Sequence, residues 1–152
     1  MENLTADETR SLRCVAGMMI PASSAFGMPG ADDDTIFGDI INSIGQDMAL
    51  VKQALQRLDT LAAGRFADRD LAGRQAAAAA FQEAGGVKVT ALTRVIVQCY
   101  YRDDRVMQSL GMEVRPPFPK GFEVEQGDWS LLDPVRARPA FYRRVAPDTS
   151  VG

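Results

Sequence analysis

Val87-Lys88-Val89-Thr90-Ala91-Leu92-Thr93-Arg94-Val95-Ile96-Val97-Gln98-Cys99-Tyr100-Tyr101 is the stretch on which the fold class turns. Its β-branched run Val95-Ile96-Val97 has the composition of a strand, because branched side chains fit a pleated surface. Its spacing points elsewhere. Val89, Leu92, Ile96 and Cys99 recur over three turns with Val95 beside them, rather than alternating with polar residues. The stretch therefore reads as a helix, and the chain as all-α.

Upstream, the same period returns. Thr5 and Glu8 form a T-x-x-E capping box, in which each side chain satisfies an otherwise orphan backbone donor of the other residue. Leu12, Val15, Met18 and Met19 follow at helical spacing, and Ile20-Pro21 ends the helix because a residue before proline is pushed out of the α region. Residues 22–30, with Ser23, Ser24, Gly27, Pro29 and Gly30, read as a loop. Asp32-Asp33-Asp34 opens a second helix, where negative charge complements the positive end of the dipole. Ile36, Phe37, Ile40, Ile41 and Ile44 form its stripe, and Gly45 stops it. Met48, Val51, Leu55 and Leu58 mark a third helix from near Asp47 to near Gly64. Residues 70–84 form a fourth, whose run Ala76 to Ala80 is a strong helix former that permits close packing. Gly85-Gly86 breaks it. Beyond Tyr101, a short helical turn over 104–110 ends at Gly111, a suitable C′ residue. The expectation is a small domain of about five helices over residues 1–111, followed by an irregular arm over 112–152.

The arm is rich in proline and in aromatics: Pro116, Pro117, Phe118, Pro119, Phe122, Trp129, Leu131, Leu132, Pro134, Pro139, Phe141 and Tyr142. A segment unable to order would lack those apolar side chains, which offset the entropy of ordering. It reads as a strap that needs a surface. Fully extended, residues 112–146 would reach on the order of 100 Å at ~3.3 Å per residue. A helical core of this size is only about 30–35 Å across. Since the helices must also hide their own stripes, this inequality favours a partner for the strap. Arg136, Arg138, Arg143 and Arg144 interleave with its aromatics, a mixture enriched at interface hot spots.

Composition excludes several classes of function. The 152 residues carry a net charge of −3 and no dominant basic run, which argues against nucleic acid or an anionic membrane as partner. No apolar stretch approaches the ~20 residues of a membrane span, and the opening residues lack the basic and apolar regions of a signal peptide. There is no histidine, which removes Ser-His-Asp and Cys-His nucleophile systems and His-ligated metals. Cys14 and Cys99 sit in apolar helical contexts and read as small core residues. The acidic triplet lacks the ligand order of an EF-hand and reads as a helix cap. Gly85-Gly86 and Gly27-x-x-Gly30 follow no strand and make no dinucleotide or phosphate loop. Of Tyr100 and Tyr101, adjacent on a helix, one points to the core and one to an interface. No catalytic residue, metal site or cofactor site is expected in this chain.

Two patches resemble the gluconate 2-dehydrogenase small-subunit family (subunit 3), accessory subunits of flavin-dependent glucose–methanol–choline oxidoreductases. The first is the capped helix running into Met19-Ile20-Pro21-Ala22, then Met28-Pro29-Gly30-Ala31 and the acidic helix start. The second is Tyr100-Tyr101-Arg102-Asp103-Asp104-Arg105-Val106, then Leu110-Gly111-Met112, Pro116-Pro117-Phe118-Pro119-Lys120-Gly121-Phe122 and Asp128-Trp129-Ser130-Leu131-Leu132. The alanine-rich middle matches only in helical character. The resemblance implies a helical, non-catalytic subunit that stabilises or matures a large catalytic partner, which would carry FAD and act on an alcohol or sugar. Ile20, Pro21, Pro29, Tyr101, Pro116, Pro117, Phe118, Pro119, Phe122, Trp129, Leu132, Phe141 and Tyr142 would then lie at the contact. Several subunits of this type carry a twin-arginine export signal. Here no Arg-Arg pair precedes an apolar segment, so the expected setting is cytoplasmic, or periplasmic where a leader has been removed. Two other readings stay open: an independent small helical enzyme using Tyr100, Tyr101 and aspartates, and a self-associating helical scaffold.

Overall fold

The computed structural model describes residues 3–115, 121, 123 and 125–139. Two compact units divide the chain, Met1–Val114 and Arg115–Gly152. Among the described residues there are seven α-helices and no strand, so the all-α reading holds.

The first unit holds α1 (Ala6–Met19), α2 (Asp34–Ser43), α3 (Met48–Leu61), α4 (Leu71–Ala84), α5 (Val87–Arg102) and α6 (Asp104–Ser109). Each start follows from a local polar device. Thr5 Oγ1 accepts from Glu8 N, and Glu8 Oε2 accepts from Thr5 N at 2.8 Å, the full capping box. Asp33, Asp70 and Asp103 cap α2, α4 and α6 through their carboxylates. Gly111, at φ 72°, turns the chain after α6 as the left-handed C′ position demands. At the end of α3 the left-handed residue is Ala63 (φ 50°) rather than the glycine expected as the stop. Gly64 N then donates to Asp59 O at 3.0 Å, closing the last turn one residue earlier than Gly64 itself.

Packing centres on α3, which carries α1, α4 and α5 on its surface, while α2 lies against α5. The helical reading of residues 87–101 is decisive here. As a helix, that stretch buries Leu92, Val95, Ile96, Cys99 and Tyr100 together, against Ile36, Ile40, Val51 and Leu55 from its neighbours. A strand would have sent Ile96 and Val95 to opposite faces. Phe66, in a 3₁₀ turn over Phe66–Asp68, is fully enclosed beneath α1 and α4. Between α1, α4 and α5 the surface stays open as a groove of about 970 Å³, floored in part by Leu58 and Phe66.

Residues 22–30 are more ordered than a simple loop. Ser23 and Met28 exchange two backbone hydrogen bonds of 2.9 Å around a 3₁₀ turn at Ser24–Phe26, and Gly27 takes the left-handed position (φ 61°). The arm likewise contains local helix where aperiodic chain was expected. In the second unit a 3₁₀ turn at Trp129–Leu132 runs into α7 (Asp133–Arg136). Asp128 starts it by accepting from Ser130 N at 3.0 Å, and Pro134 pre-sets the backbone angle of the first helical turn. Short-range capping, invisible to hydrophobic periodicity, explains the difference.

Candidate functional site

The first patch and the start of the second, Tyr100 to Val106, meet in the first unit. Ile20 is the C-cap of α1, and its carbonyl accepts from Ala31 N at 2.9 Å, so residues 20–22 run beside residues 29–31. Gly30 is required by that approach. A Cβ there would meet Asp32 Oδ1 and come within 3.0 Å of Ala22 N. The Pro29 carbonyl accepts a hydrogen bond from Tyr100 Oη at 3.1 Å, joining residues 71 apart in sequence. Tyr100 is buried, while Tyr101 is exposed and presents its ring edge-on to Tyr100 with centroids 5.2 Å apart. The division of the tyrosine pair between core and surface follows the expectation. Ile20 and Pro29 are half-buried, and Pro21 and Tyr101 are open to solvent.

A lattice of ion pairs holds this region. Arg105, on α6, donates to Asp33 Oδ1 at 2.7 Å and to Asp103 Oδ2 at 3.0 Å, tying the start of α2 to the start of α6. Arg102 forks across both oxygens of Asp39 and reaches Ser43 Oγ. Arg13, on α1, donates to Asp34 at 2.7 Å and to the Asp32 carbonyl at 3.0 Å, with its guanidinium stacked over the Phe37 ring. The acidic triplet is thus a helix cap, as read from sequence, and also the electrostatic hub of the unit. The Arg105 guanidinium holds the Asp33 and Asp103 carboxyls below the usual carboxylate range, and Arg102 does the same for Asp39. Burial pushes the Tyr100 phenol and the Cys99 thiol up, so both stay protonated at neutral pH. Cys99 is fully enclosed, which fits a core residue.

Between the Pro29 loop and Arg105 lies a shallow recess of about 530 Å³, lined by Ala22, Ser23, Met28, Pro29, Arg105 and Gln108. Exposed apolar side chains in this unit include Phe26, Tyr101, Leu110 and Met112. Leu110 and Met112 belong to the second patch but are not among the residues expected at the contact, and Phe26 carries no sequence signal of its own, because a lone apolar residue in a turn looks the same buried or exposed. Arg105 and Asp103 could have been found. Asp103 repeats the Asp-before-helix pattern of Asp33, and an arginine two positions on is placed to neutralise both.

Of the remaining interface candidates, Trp129 and Leu132 lie in the second unit and are exposed there, with Trp129 Nε1 donating to Gln126 Oε1 at 3.2 Å. Pro116, Pro117, Phe118, Pro119, Phe122, Phe141 and Tyr142 lie outside the described residues. No described helix is long and apolar enough to cross a membrane. Among the described residues no group of three or more Cys, Asp and Glu side chains is arranged to hold a metal ion.

Comparison of the chain with protein-family profiles, with curated proteins and with solved structures finds no match.

Proposed function

We propose that this chain is a non-catalytic small subunit that binds, and stabilises or matures, a large FAD-dependent oxidoreductase of the glucose–methanol–choline type acting on an alcohol or sugar. One observation carries the reading. The two patches of the subunit-family resemblance, far apart in sequence, are joined by the Tyr100–Pro29 hydrogen bond and the Arg105–Asp33 ion pair. Next to that junction Pro21 and Tyr101 stand open to solvent. An aromatic held against a hydrogen-bonded, ion-paired base costs little entropy to present, which is the character of an interface anchor. A permanent contact of this kind buries at least ~2,000 Å², so the strap over residues 112–152 is assigned to the same partner.

Co-expression of the full chain with a glucose–methanol–choline flavoprotein of the same source, followed by size-exclusion chromatography, tests the reading. The expected result is a single heteromeric peak whose FAD content exceeds that of the flavoprotein expressed alone. Tyr101→Ala together with Trp129→Ala should split that peak. Two separately eluting species from the unaltered chains, with equal FAD content, would overturn the assignment.

A further inference from the structure

The groove over α3 is not used by the subunit reading, and it has the character of a ligand site. Its volume of about 970 Å³ stands at the upper end of the ~300–1,000 Å³ typical of small-molecule sites. Leu58, Phe66 and Leu92 close it from beneath, and all three are fully or almost fully buried. The α4 wall is shallow because it is made of Ala78 and Ala79, between Gln75 and Gln82. The two phenylalanines of the lining, Phe66 and Phe81, are 0% and 7% exposed, so neither offers a ring face. A flat aromatic ligand or a nucleobase would find no stacking platform. Aliphatic chain is what such a surface accepts.

Its electrostatics narrow the ligand further. Among the described residues, Arg94 on α5 is the one charged residue in the lining, and none of the carboxylates lines the groove. Asp47, at the start of α3, engages Arg94 through Nη2 alone. An arginine carries five N–H donors, and this one is half-exposed, so a free edge of the guanidinium remains for a second carboxylate. One cation, already shared with an aspartate, suits a ligand with a single negative charge and disfavours a phosphate-rich one. The other polar groups, among them Thr93 and the two glutamines, are neutral.

We propose that this groove binds a fatty acid, its chain laid along Met18 and Met19 of α1, Val89 and Val97 of α5 and the alanines of α4, and its carboxylate on the free edge of Arg94. The site is independent of the subunit assignment, and its test needs no flavoprotein.

The full chain is titrated with cis-parinaric acid, followed by displacement with oleate and with oleyl alcohol. Saturable fluorescence with one site per chain is expected, with oleate displacing about tenfold better than the alcohol, as one charge-assisted fork warrants. Ala79→Trp, an exposed wall position, should fill the groove and lower affinity for both by about tenfold or more with an unchanged melting curve. Arg94→Gln should weaken oleate alone. Asp47→Asn should do the reverse, tightening oleate severalfold while leaving the alcohol unmoved. These last two variants carry the test even where Ala79→Trp fails to fold. An increase in affinity on losing Asp47 is something a merely structural role of the ion pair would not produce. Absence of saturable binding, equal affinity for acid and alcohol in every variant, or retention on phosphatidylcholine vesicles in place of free oleate would each overturn the proposal.

Discussion

Helix α5 belongs to two neighbourhoods that are held together by different physics. Around its C-terminal end, directional bonds dominate: Arg102 on Asp39 and Ser43, Arg105 on Asp33 and Asp103, and Tyr100 on the Pro29 carbonyl. Around its N-terminal half, across the groove, α4 meets the rest of the unit through apolar contact, burying Ala77 and Phe81, whereas α5 buries six residues. Apolar contact is non-directional and sets distance. Forked ion pairs and a buried hydroxyl also set angle. The contrast assigns different tasks to the two regions. The bonded end can present Tyr101 at a fixed orientation, while the α4 wall can yield to what enters the groove.

The largest expected effect tests the weak side. Phe81→Ala removes the principal anchor of α4, and truncations of this kind cost about 3–5 kcal/mol. Urea unfolding should record that loss, and amide exchange should show α4 opening locally while α5 stays protected until global unfolding. Protection of α4 equal to that of α5 in the unaltered chain would erase the distinction between the two neighbourhoods.

How much of this arrangement was legible in the sequence depended on the range of the signal. Helices α1 to α6 were, because caps and stripes are local: Thr5 with Glu8, the acidic triplet opening α2, and Gly111 after α6 all act where the sequence puts them. The junction between the patches was only half legible. Tyr100 could be placed in the core by its neighbours, but its partner, Pro29, lies 71 residues away and carries no mark of accepting a hydrogen bond. The ion pairs were hidden for the same reason. Many arginines face many aspartates in this composition, and only the packing of α2 on α5 selects Arg102 for Asp39. The groove was unreadable altogether, since alanine at Ala78 and Ala79 looks alike whether it faces a core or a cleft. In the arm, the short helix after Asp128 was missed because one capping carboxylate and one proline outweigh the lack of periodicity over so few residues.

A middle-sized effect tests the bonded end. Arg105→Ala leaves Asp33 and Asp103 without their shared cation and should cost about 1–2 kcal/mol, more than an isolated surface pair because two carboxylates lose their partner. Added salt should shrink this loss, but not that of Phe81→Ala. The pH dependence follows from the depressed carboxyls of Asp33, Asp39 and Asp103. Their folded pKa values lie below the unfolded one, so their stabilisation is present above about pH 4 and is lost as pH falls further. The unaltered chain should therefore melt at progressively lower temperature below about pH 4, and Arg105→Ala should show a shallower decline. Parallel curves would mean that the lattice seen at this end does not hold the fold.

The smallest effect changes in size with pH. Tyr100→Phe removes the hydrogen bond to the Pro29 carbonyl and should cost about 1 kcal/mol at neutral pH, freeing the loop that carries Pro29 from α5. Burial raises the Tyr100 phenol above its ordinary value of 10.0, so the unfolded chain ionises first. The stability that tyrosine confers is complete below that value and declines as pH rises past it. Phenylalanine has no proton to lose and is spared this decline. The gap between the two melting curves should therefore narrow as pH rises past 10.0. A constant gap from neutral to alkaline pH would place the Tyr100 hydroxyl in solvent, and with it would go the link between α5 and the loop that carries Pro29.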